Sequence, residues 1–408
     1  MNAKRTIIFY CDNFGMGGTE TLILRLMKWF SEQHCRTILL TQNMITNSAI
    51  ISDIKNIDFE YFLYEKAKSN FFNISGDMLS FKDAENPLII TQFFPEYFKA
   101  FLLLTKGKYH INFTHTIYIV HPHSTYLASR KILFLGRWMV KMMLKNKTLI
   151  FMDEVCVKTF TSFYLLKESN TNYKILRLPI FIDKDYSTLT SAKNDVFNIL
   201  TIARFEFPFK GYVIGLIKSF HKLRIDNKNI SLTIIGYGDG RDEVNLEVNK
   251  LGETYSDSIH VLDQVPYSEI NSYIEKCDVY VGMGTTILDA ANKNKIVISA
   301  VAYQMSNYSS GFFHNNFRSI GEIFDANSHL LTFDVLIQDV INSSPSEFLL
   351  MANNSKDVLI ENYNIDEIAT QLASYSNPIS NKLQFRVNWV MSYLTLIITW
   401  MTNKFKFK

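Results

Sequence analysis

The sequence predicts an α/β protein in which two doubly wound, Rossmann-like domains face a central cleft. Short apolar runs alternate with amphipathic segments almost throughout the 408 residues. Several runs are apolar on both faces, as strands of a parallel sheet covered by helices are. The alternation pauses once, in a polar stretch at 183–195 that we interpret as a linker. The length of the chain also favours two domains over one core.

Helical spacing separates the predicted strands, as at Leu22, Leu26 and Phe30. We assign residues 1–183 to an N-terminal domain, 184–195 to the linker, 196–370 to a C-terminal domain and 371–408 to a helical tail. The predicted strands are 6–11, 36–41, 87–93, 109–115, 148–153 and 173–180 in the first half, and 197–203, 231–236, 259–265, 278–283 and 295–300 in the second.

Composition excludes several classes of protein. An apolar content of 47% and an aromatic content of 14% exclude wholesale disorder, and a net charge of +3 gives no global footprint for nucleic acid. Four scattered cysteines without C-x-x-C spacing indicate reduced, buried thiols. The first apolar run is too short for a signal peptide, and no run reaches the roughly 20 residues that span a bilayer. We therefore expect a cytoplasmic protein, soluble or peripheral.

The first turn that could carry chemistry places Gly15, Gly17 and Gly18 between a strand and a helix. Glu20 stands where a dinucleotide fingerprint would have its last glycine, so the turn departs from that fingerprint. Glycines allow close approach of a ligand, and a helix N-terminus favours an anion. A tight strand-to-helix turn without a ligand explains the same residues.

Two further turns follow predicted strands of the second half. Gly236 and Gly238 are compatible with a nucleotide packing over the turn, or they only relieve strain. In the segment from Gly282 to Asp289, Thr285 and Thr286 stand at a predicted helix start, where backbone N–H groups and hydroxyls can bind phosphate oxygens. A capped helix with one exposed acid is the alternative.

Positive charge follows another strand of the second half. Arg204 ends this strand, and Lys210 immediately precedes a helix. Cations at a strand end suit a diphosphate group, although solvated surface side chains have the same appearance.

In combination, these elements resemble the retaining nucleotide-sugar glycosyltransferases of the GT-B fold, family four, of the bacterial surface-polysaccharide type. The resemblance covers roughly residues 5 to 370, and its strength lies in the order and spacing of the motifs. The motifs are Gly17-Gly18-Thr19-Glu20, the degraded linker pattern Ile180-Phe181-Ile182-Asp183, Ala203-Arg204 with Phe209-Lys210-Gly211, Gly236-Tyr237-Gly238, and a segment from Val281 ending in Leu288-Asp289-Ala290.

The resemblance implies an acceptor-side N-terminal domain, a donor-binding C-terminal domain and a role for each matched residue. Arg204 and Lys210 hold the donor diphosphate and stabilise its charge as it leaves. The main chain near Gln264-Val265 holds the base together with the turn at Gly236. The remaining implied donor contacts are Gly284, Thr285 and Thr286 to phosphate, Asp289 to ribose, and Gly17 and Gly18 from the N-terminal domain.

Two matched positions depart from the family pattern. Val281 stands where the family has a sugar-contacting Glu, which puts the sugar in doubt and leaves an inactive member open. Asp289 is one methylene shorter than the usual Glu. His115 matches the family's histidine at the end of a strand near the reacting sugar, with a structural role as the alternative.

No metal site and no cofactor are predicted. His121 and His123 share a loop that has no carboxylate or cysteine at useful spacing. The sequence at 183–185, Asp-Lys-Asp, lies in the linker and follows no nucleotide-binding strand and turn, so we set it aside as a metal motif.

A basic segment at 126–147 carries six Lys and Arg residues and no acid. Arg137, Lys141 and Lys145 recur at helical spacing opposite apolar residues, which suits anionic lipid headgroups, or equally the wet face of a packed helix. The tail at 385–408 adds Trp389, Trp400 and three terminal lysines, or crosses back to the N-terminal domain. A peripheral position on the inner membrane face and a lipid-linked acceptor follow from the first interpretation.

The sequence therefore predicts a metal-independent glycosyltransferase that uses a nucleoside diphosphate sugar and a glycan or lipid-linked saccharide acceptor. The predicted pathway is lipopolysaccharide O-antigen or capsule biosynthesis, with retention at the transferred carbon. One alternative is a nucleotide-sugar epimerase or a dinucleotide-dependent oxidoreductase on similar domains. Another is a non-catalytic GT-B subunit that binds sugar or a partner enzyme.

Overall fold

The chain forms two compact units, Met1–Pro179 with Ile365–Lys408, and Ile180–Asn364. The sequence placed these divisions at 183 and 370. The computed structural model describes residues 5–15, 17–45, 51, 54–63, 87–105, 113–121, 133–167, 173–183, 195–265, 267–321, 330–376, 385–394 and 397. The predicted linker at 184–195 falls almost entirely outside them.

The described part of the first unit is built on a parallel sheet in the order β3-β2-β1-β4-β5-β6-β7. Its strands are β1 (Ile7–Cys11), β2 (Thr37–Thr41), β3 (Glu60–Leu63), β4 (Leu88–Thr91), β5 (Thr114–Ile119), β6 (Leu149–Phe151) and β7 (Lys174–Ile175). Its helices are α1 (Gly18–Glu32), α2 (Phe94–Thr105), α3 (Leu133–Lys145) and α4 (Glu154–Phe163). The strand order reverses between β1 and β4, as in a doubly wound sheet.

The second unit has the sheet order β10-β9-β8-β11-β12-β13-β14 among its described residues. Strands β8 (Phe197–Arg204), β9 (Ile230–Tyr237), β10 (Ile259–Leu262), β11 (Val279–Gly282) and β12 (Ile296–Ala300) are parallel, and β13 (Tyr308–Phe312) and β14 (Leu331–Thr332) are antiparallel. The helices are α5 (Tyr212–Asp226), α6 (Arg241–Asn249), α7 (Tyr267–Lys276), α8 (Thr285–Asn292), α9 (Phe313–Asn316), α10 (Phe333–Asn342) and α11 (Pro345–Tyr363).

The tail belongs to the first unit. Helix α12 (Ile365–Ala373) is bound to α1, because the indole N–H of Trp29 donates to the Asp366 carboxylate at 2.7 Å. A further helix, α13 at 385–394, places Phe385 at 5.4 Å between ring centroids from Phe101 of α2. Residues 398–408 lie outside the described part of the chain, so Trp400 and the terminal lysines remain predictions.

The α/β class with two doubly wound, Rossmann-like units is confirmed. Strand β7 covers only Lys174–Ile175 of the predicted 173–180. Strand β5 spans Thr114–Ile119 and so extends beyond the predicted end at residue 115. Its first three residues are polar yet fully buried, so they interrupt the apolar run that marks the other strands. Strands β3, β13 and β14 were not predicted, because they lie at or near sheet edges and are only partly buried.

The start of the second unit is fixed to the end of α8. The buried amine of Lys356 donates to the backbone oxygen of Asp183 at 3.1 Å and to the backbone and side-chain oxygens of Asn292 at 2.5 and 2.9 Å. The amide of Asn292 donates in turn to the backbone oxygen of Phe181 at 2.9 Å. Residues 181–183 are therefore held by the last residue of α8.

Candidate active site

The candidate site lies at the carboxyl ends of β8 and β11, where the strand order of the second sheet reverses. Ligands of doubly wound sheets bind at this kind of position. Strand β8 ends at Arg204, and only Met283 and Gly284 separate β11 from α8. The site therefore combines the end of one strand, the loop before α5 and the first turn of α8.

Lys210 lies at the N-terminus of α8. Its Nζ donates to the backbone oxygen of Met283 at 3.4 Å, and it would be 3.7 Å from a Cβ placed on Gly284. Burial, followed by the charge of Arg204, lowers the pKa of Lys210 to about 8, against a smaller opposite effect of Glu206. Among the described residues, Glu206 compensates this ammonium only in part, and the helix end beside it itself favours anions.

Arg204 is exposed and forms an ion pair with Glu206, two residues further on. An exposed ion pair of this kind contributes little free energy. Its guanidinium can therefore exchange the carboxylate for a phosphate at small cost.

The first turn of α8 offers backbone donors, although one predicted donor is already used. Gly284 has φ 78° and ψ −148°, a conformation essentially restricted to glycine. Its N–H donates to the backbone oxygen of Ile320 at 2.6 Å. Thr285 and Thr286 are half-buried at the helix start, and the Thr286 hydroxyl donates to the Met283 oxygen at 3.4 Å. Phosphate contacts are therefore expected at these two residues and not at the Gly284 amide.

The two motif positions that depart from the family pattern differ in their surroundings. Asp289 is half-buried on α8, one helical turn beyond Thr285. Val281 is fully buried inside β11, opposite Ile298 of β12 and within the core of the unit. A side chain at position 281 does not reach a ligand at the sheet edge, so Val281 is a core residue and not a replaced sugar contact.

Packing accounts for Gly236, which lies inside β9, and for Gly238, which directly follows this strand. A Cβ on Gly236 would lie 2.2 Å from the Ala203 oxygen, and one on Gly238, at φ 131°, would lie 2.8 Å from the Phe205 oxygen. The sequence missed Arg241, which begins α6 and donates to the backbone oxygens of Gly236 and Leu262 at 3.2 and 3.0 Å. Arg241 thus ties the ends of β9 and β10 together. A nucleotide contact at Gly236 remains a prediction.

The glycine turn of the first unit follows β1. Gly17 is the N-cap of α1 in extended conformation, and Gly18 begins the helix. The sequence missed Glu96, a buried carboxylate of α2 that accepts from the backbone N–H of Asp12 at 3.0 Å. Burial raises the pKa of Glu96 to about 7, although its backbone hydrogen bonds oppose the shift. The sequence feature that could have identified Glu96 is an acidic residue in the first turn of a helix that follows a buried strand.

The sequence predicted that His115 ends a strand, but the structure places it near the start of one. It is the second residue of β5, it is 1% exposed, and its ring stacks on Tyr97 with centroids 4.0 Å apart. Burial lowers the pKa of His115 to about 3, so the ring is neutral at physiological pH. The histidine at the carboxyl end of β5 is His121, which is half-buried two residues beyond the strand. The sequence feature that could have identified His121 is the apolar run 117–120 directly before it.

The basic segment forms an amphipathic helix in its described part. Met139 and Met143 of α3 are buried, whereas Lys141 and Lys145 are exposed. Trp138 is 51% exposed beside them. Arg137 donates to the backbone oxygen of Leu165 at 2.7 Å, and Leu165 is itself 62% exposed. We call the exposed residues of this helix, Trp138, Lys141 and Lys145, together with Leu165, the α3 surface; Arg130 and Lys131 lie outside the described residues.

The described residues contain neither a candidate metal site nor a candidate membrane span. Within this part of the chain, no group of three or more His, Cys, Asp or Glu side chains is arranged to hold a metal ion. Among the described helices, none has the length and apolarity to cross a membrane.

The two sheets and their connections define the GT-B fold of glycosyltransferases. The family model for glycosyl transferases group 1 matches residues 190–312, which include β8 to β13 and the whole candidate site. No curated protein matches the sequence significantly.

The whole chain is similar to several solved structures. A glycosyltransferase from Rickettsia africae ESF-5 has a TM-score of 0.63 and 14% identity over 91% of this chain and 100% of its own. Anabaena Alr3699/HepE in complex with UDP-glucose has a TM-score of 0.58 and 14% identity over 90% of this chain and 98% of its own. WaaG, a glycosyltransferase involved in lipopolysaccharide biosynthesis, has a TM-score of 0.53 and 13% identity over 90% and 98%. Identities this low show a shared fold.

Proposed function

We propose that the protein is a glycosyltransferase that moves a sugar from a nucleoside diphosphate donor to a glycan or lipid-linked saccharide acceptor. The observation that carries this proposal is the Lys210 ammonium against the first turn of α8, at the strand-order reversal of the second sheet. The same segment matches the glycosyl transferases group 1 model. A cation and a helix N-terminus together favour a phosphate group.

The donor diphosphate lies in this proposal between Lys210, Arg204 and the first turn of α8. Thr285 and Thr286 contribute backbone and hydroxyl donors, and Asp289, one turn further along, accepts from the ribose. The base lies towards the main chain at 264–265 and the turn at Gly236. As the bond to the sugar breaks, negative charge grows on the diphosphate, and the two cations stabilise it more than they stabilise the bound donor.

The finer features of the reaction belong to the same proposal. We infer retention at the transferred carbon and no requirement for a metal ion, since Arg204 and Lys210 supply the positive charge that the leaving group needs. For the first unit, we propose His121 in place of His115 as the histidine near substrate, because His121 stands at the carboxyl edge of the sheet. Gly17 and Gly18 remain proposed donor contacts. Surface-polysaccharide assembly is the proposed pathway, in line with the activity named for WaaG.

A donor screen tests the proposal directly. We expect calorimetric titration of UDP, GDP, ADP and their common sugar conjugates to show one preferred base, and chromatography to show slow hydrolysis of the preferred conjugate. Binding without any turnover, with a panel of glycan acceptors present, would indicate the non-catalytic alternative. Conversion of the sugar to an isomer without acceptor would indicate an epimerase. If no nucleotide bound, the proposal would be wrong.

We also propose that the α3 surface contacts anionic lipid, which places the protein at the inner face of the membrane beside a lipid-linked acceptor. Trp138 is exposed on the same helix as Lys141 and Lys145. Leu165, whose backbone oxygen accepts from Arg137, is exposed as well, and exposed aromatic and basic groups suit a headgroup layer. Each basic side chain near an anionic membrane contributes on the order of 1 kcal/mol. The double variant Lys141→Ala/Lys145→Ala is therefore expected to bind anionic vesicles about tenfold or more weakly.

Co-sedimentation with phosphatidylcholine vesicles, with and without phosphatidylglycerol, measures this effect. The matched control is Lys218→Ala/Lys222→Ala, which removes two exposed lysines from α5 in the other unit. Equal losses in the two double variants, or no sedimentation of the parent protein, would contradict the lipid contact.

A further inference from the structure

Two aromatic rings stand at the carboxyl edge of the second sheet, beside the candidate site. Tyr303 follows β12 by three residues and is 47% exposed. Its ring centroid is 5.1 Å from that of Phe209, and its backbone N–H donates to the Phe209 oxygen at 3.0 Å. The rings therefore form one surface, built from the loop after β8 and the loop after β12.

Tyr303 holds a backbone conformation that tyrosine rarely adopts. Its φ is 58°, in the left-handed region where a side chain costs free energy. Such conformations cluster at functional sites, where the surrounding structure maintains them. Here the following residues are seated on α5, where the absence of a side chain at Gly211 leaves room for Met305. Nearly half of the Tyr303 side chain remains exposed, so core packing alone does not explain its position.

The aromatic surface is continuous with the proposed phosphate site. Phe209 directly precedes Lys210, whose Nζ lies 5.2 Å from the Phe209 ring centroid. The loops after β11 and β12 are tied to the same short segment, because Gly284 donates to the Ile320 oxygen at 2.6 Å and Ala302 donates to the Gly321 oxygen at 2.8 Å. Tyr303 is therefore held next to the N-terminus of α8.

The order of strands indicates which part of a donor falls on this surface. Along the carboxyl edge, β9 is followed by β8, β11 and β12. If the nucleoside lies towards β9 and the diphosphate lies between β8 and β11, the sugar on the second phosphate lies beside β12. The connection from β11 to α8 supplies no side chain for that group, since Met283 is buried and Gly284 has none.

We propose that Tyr303, supported by Phe209, is the specificity-determining residue against which the transferred sugar of the donor packs. A pyranose ring presents C–H groups on one face, and the electron-rich face of an aromatic ring attracts them. The phenol hydroxyl can in addition exchange hydrogen bonds with a sugar hydroxyl. This assignment rests on the proposed glycosyltransferase function. Tyr303 would then supply the contact to the sugar that Val281, as a core residue, does not.

The test uses Tyr303→Gly and Tyr303→Phe in the full chain. Glycine accepts a φ of 58° without strain, so Tyr303→Gly removes the ring and is expected to keep or raise the melting temperature. Tyr303→Phe keeps the ring and controls for the hydroxyl. Isothermal titration compares UDP with UDP-glucose and UDP-N-acetylglucosamine, and GDP with GDP-mannose.

For the preferred pair, we expect the parent to bind the sugar conjugate more tightly than the free nucleotide. In Tyr303→Gly this advantage falls by about fivefold to tenfold, the size of a typical aromatic contact, while the affinity for the free nucleotide is unchanged. Tyr303→Phe retains most of the advantage. An unchanged advantage in Tyr303→Gly, or a parent that binds both forms equally, would overturn the assignment of Tyr303 alone. A parent that binds none of these nucleotides would instead overturn the proposed function.

Discussion

Replacing Lys210 by alanine is expected to lower kcat/KM for the nucleotide-sugar donor by about 100- to 1000-fold, the usual cost of removing one group that stabilises transition-state charge. The ammonium lies at the first turn of α8 and carries the charge nearest to the proposed diphosphate. Arg204 remains in the variant, but it is exposed and paired with Glu206. Steady-state rates with the preferred donor, at saturating acceptor, measure the effect.

The pKa of Lys210 supplies a second readout of the same role. Because burial and Arg204 lower this pKa to about 8, the amine is charged below pH 8 and neutral above it. A diphosphate binds the charged form better, so affinity for the free nucleoside diphosphate is expected to fall as pH rises through about 8. Lys210→Arg remains charged across this range and is expected to lose the alkaline decrease.

The matched control is Lys218→Ala on α5, because this lysine is exposed in the same unit and close in sequence. It is expected to bind donor and turn it over like the parent. Full activity in Lys210→Ala, or an equal loss in Lys218→Ala, would exclude Lys210 as the residue that holds the diphosphate.

Replacing Gly215 by alanine is expected to destabilise the protein by about 2–3 kcal/mol, near the upper end of the usual cost of overpacking. In a helix interior alanine is ordinarily the better residue by about 1 kcal/mol, so intrinsic propensity predicts the opposite sign. The reason is the close approach of the loop after β12 to α5. A Cβ on Gly215 would lie 1.9 Å from the backbone oxygen of Ser306.

Urea unfolding followed by circular dichroism measures this change through the transition midpoint. Lys218→Ala is the control here as well, since it places an alanine on an exposed face of the same helix and is expected to be nearly neutral. A stabilised Gly215→Ala protein would show that the 304–306 segment is not seated on α5, and the support for Tyr303 would be lost with it.

Much of the fold follows from local pattern, because buried parallel strands need apolar side chains on both faces. Residues such as Ile7 to Phe9 and Ile296 to Ile298 are fully buried and read directly as strands. The pattern failed at β5, where Thr114, His115 and Thr116 are buried although they are polar. Tertiary packing, including the stack of His115 on Tyr97, supports such residues and leaves no local signal.

Some residues of the candidate site could likewise be predicted from local spacing, and others could not. The positions of Lys210, Thr285 and Thr286 at helix starts follow from spacing, and the structure brings Lys210 to α8. Val281 was misinterpreted because counting along a motif cannot distinguish a strand residue from a loop residue. Tyr303 and Arg241 were missed because their significance depends on neighbours distant in sequence, Phe209 for one and Leu262 for the other.

Lys356 has an electrostatic consequence for the opposite end of α8. A helix carries partial positive charge at its N-terminus and partial negative charge at its C-terminus, and the two oppose each other at a distance. The ammonium of Lys356 donates to the backbone oxygen of Asn292, the last residue of α8. This positive charge offsets part of the negative end, which reduces its opposition to the positive end at Thr285. A residue with no direct contact to the proposed phosphate position thereby strengthens the attraction of α8 for an anion.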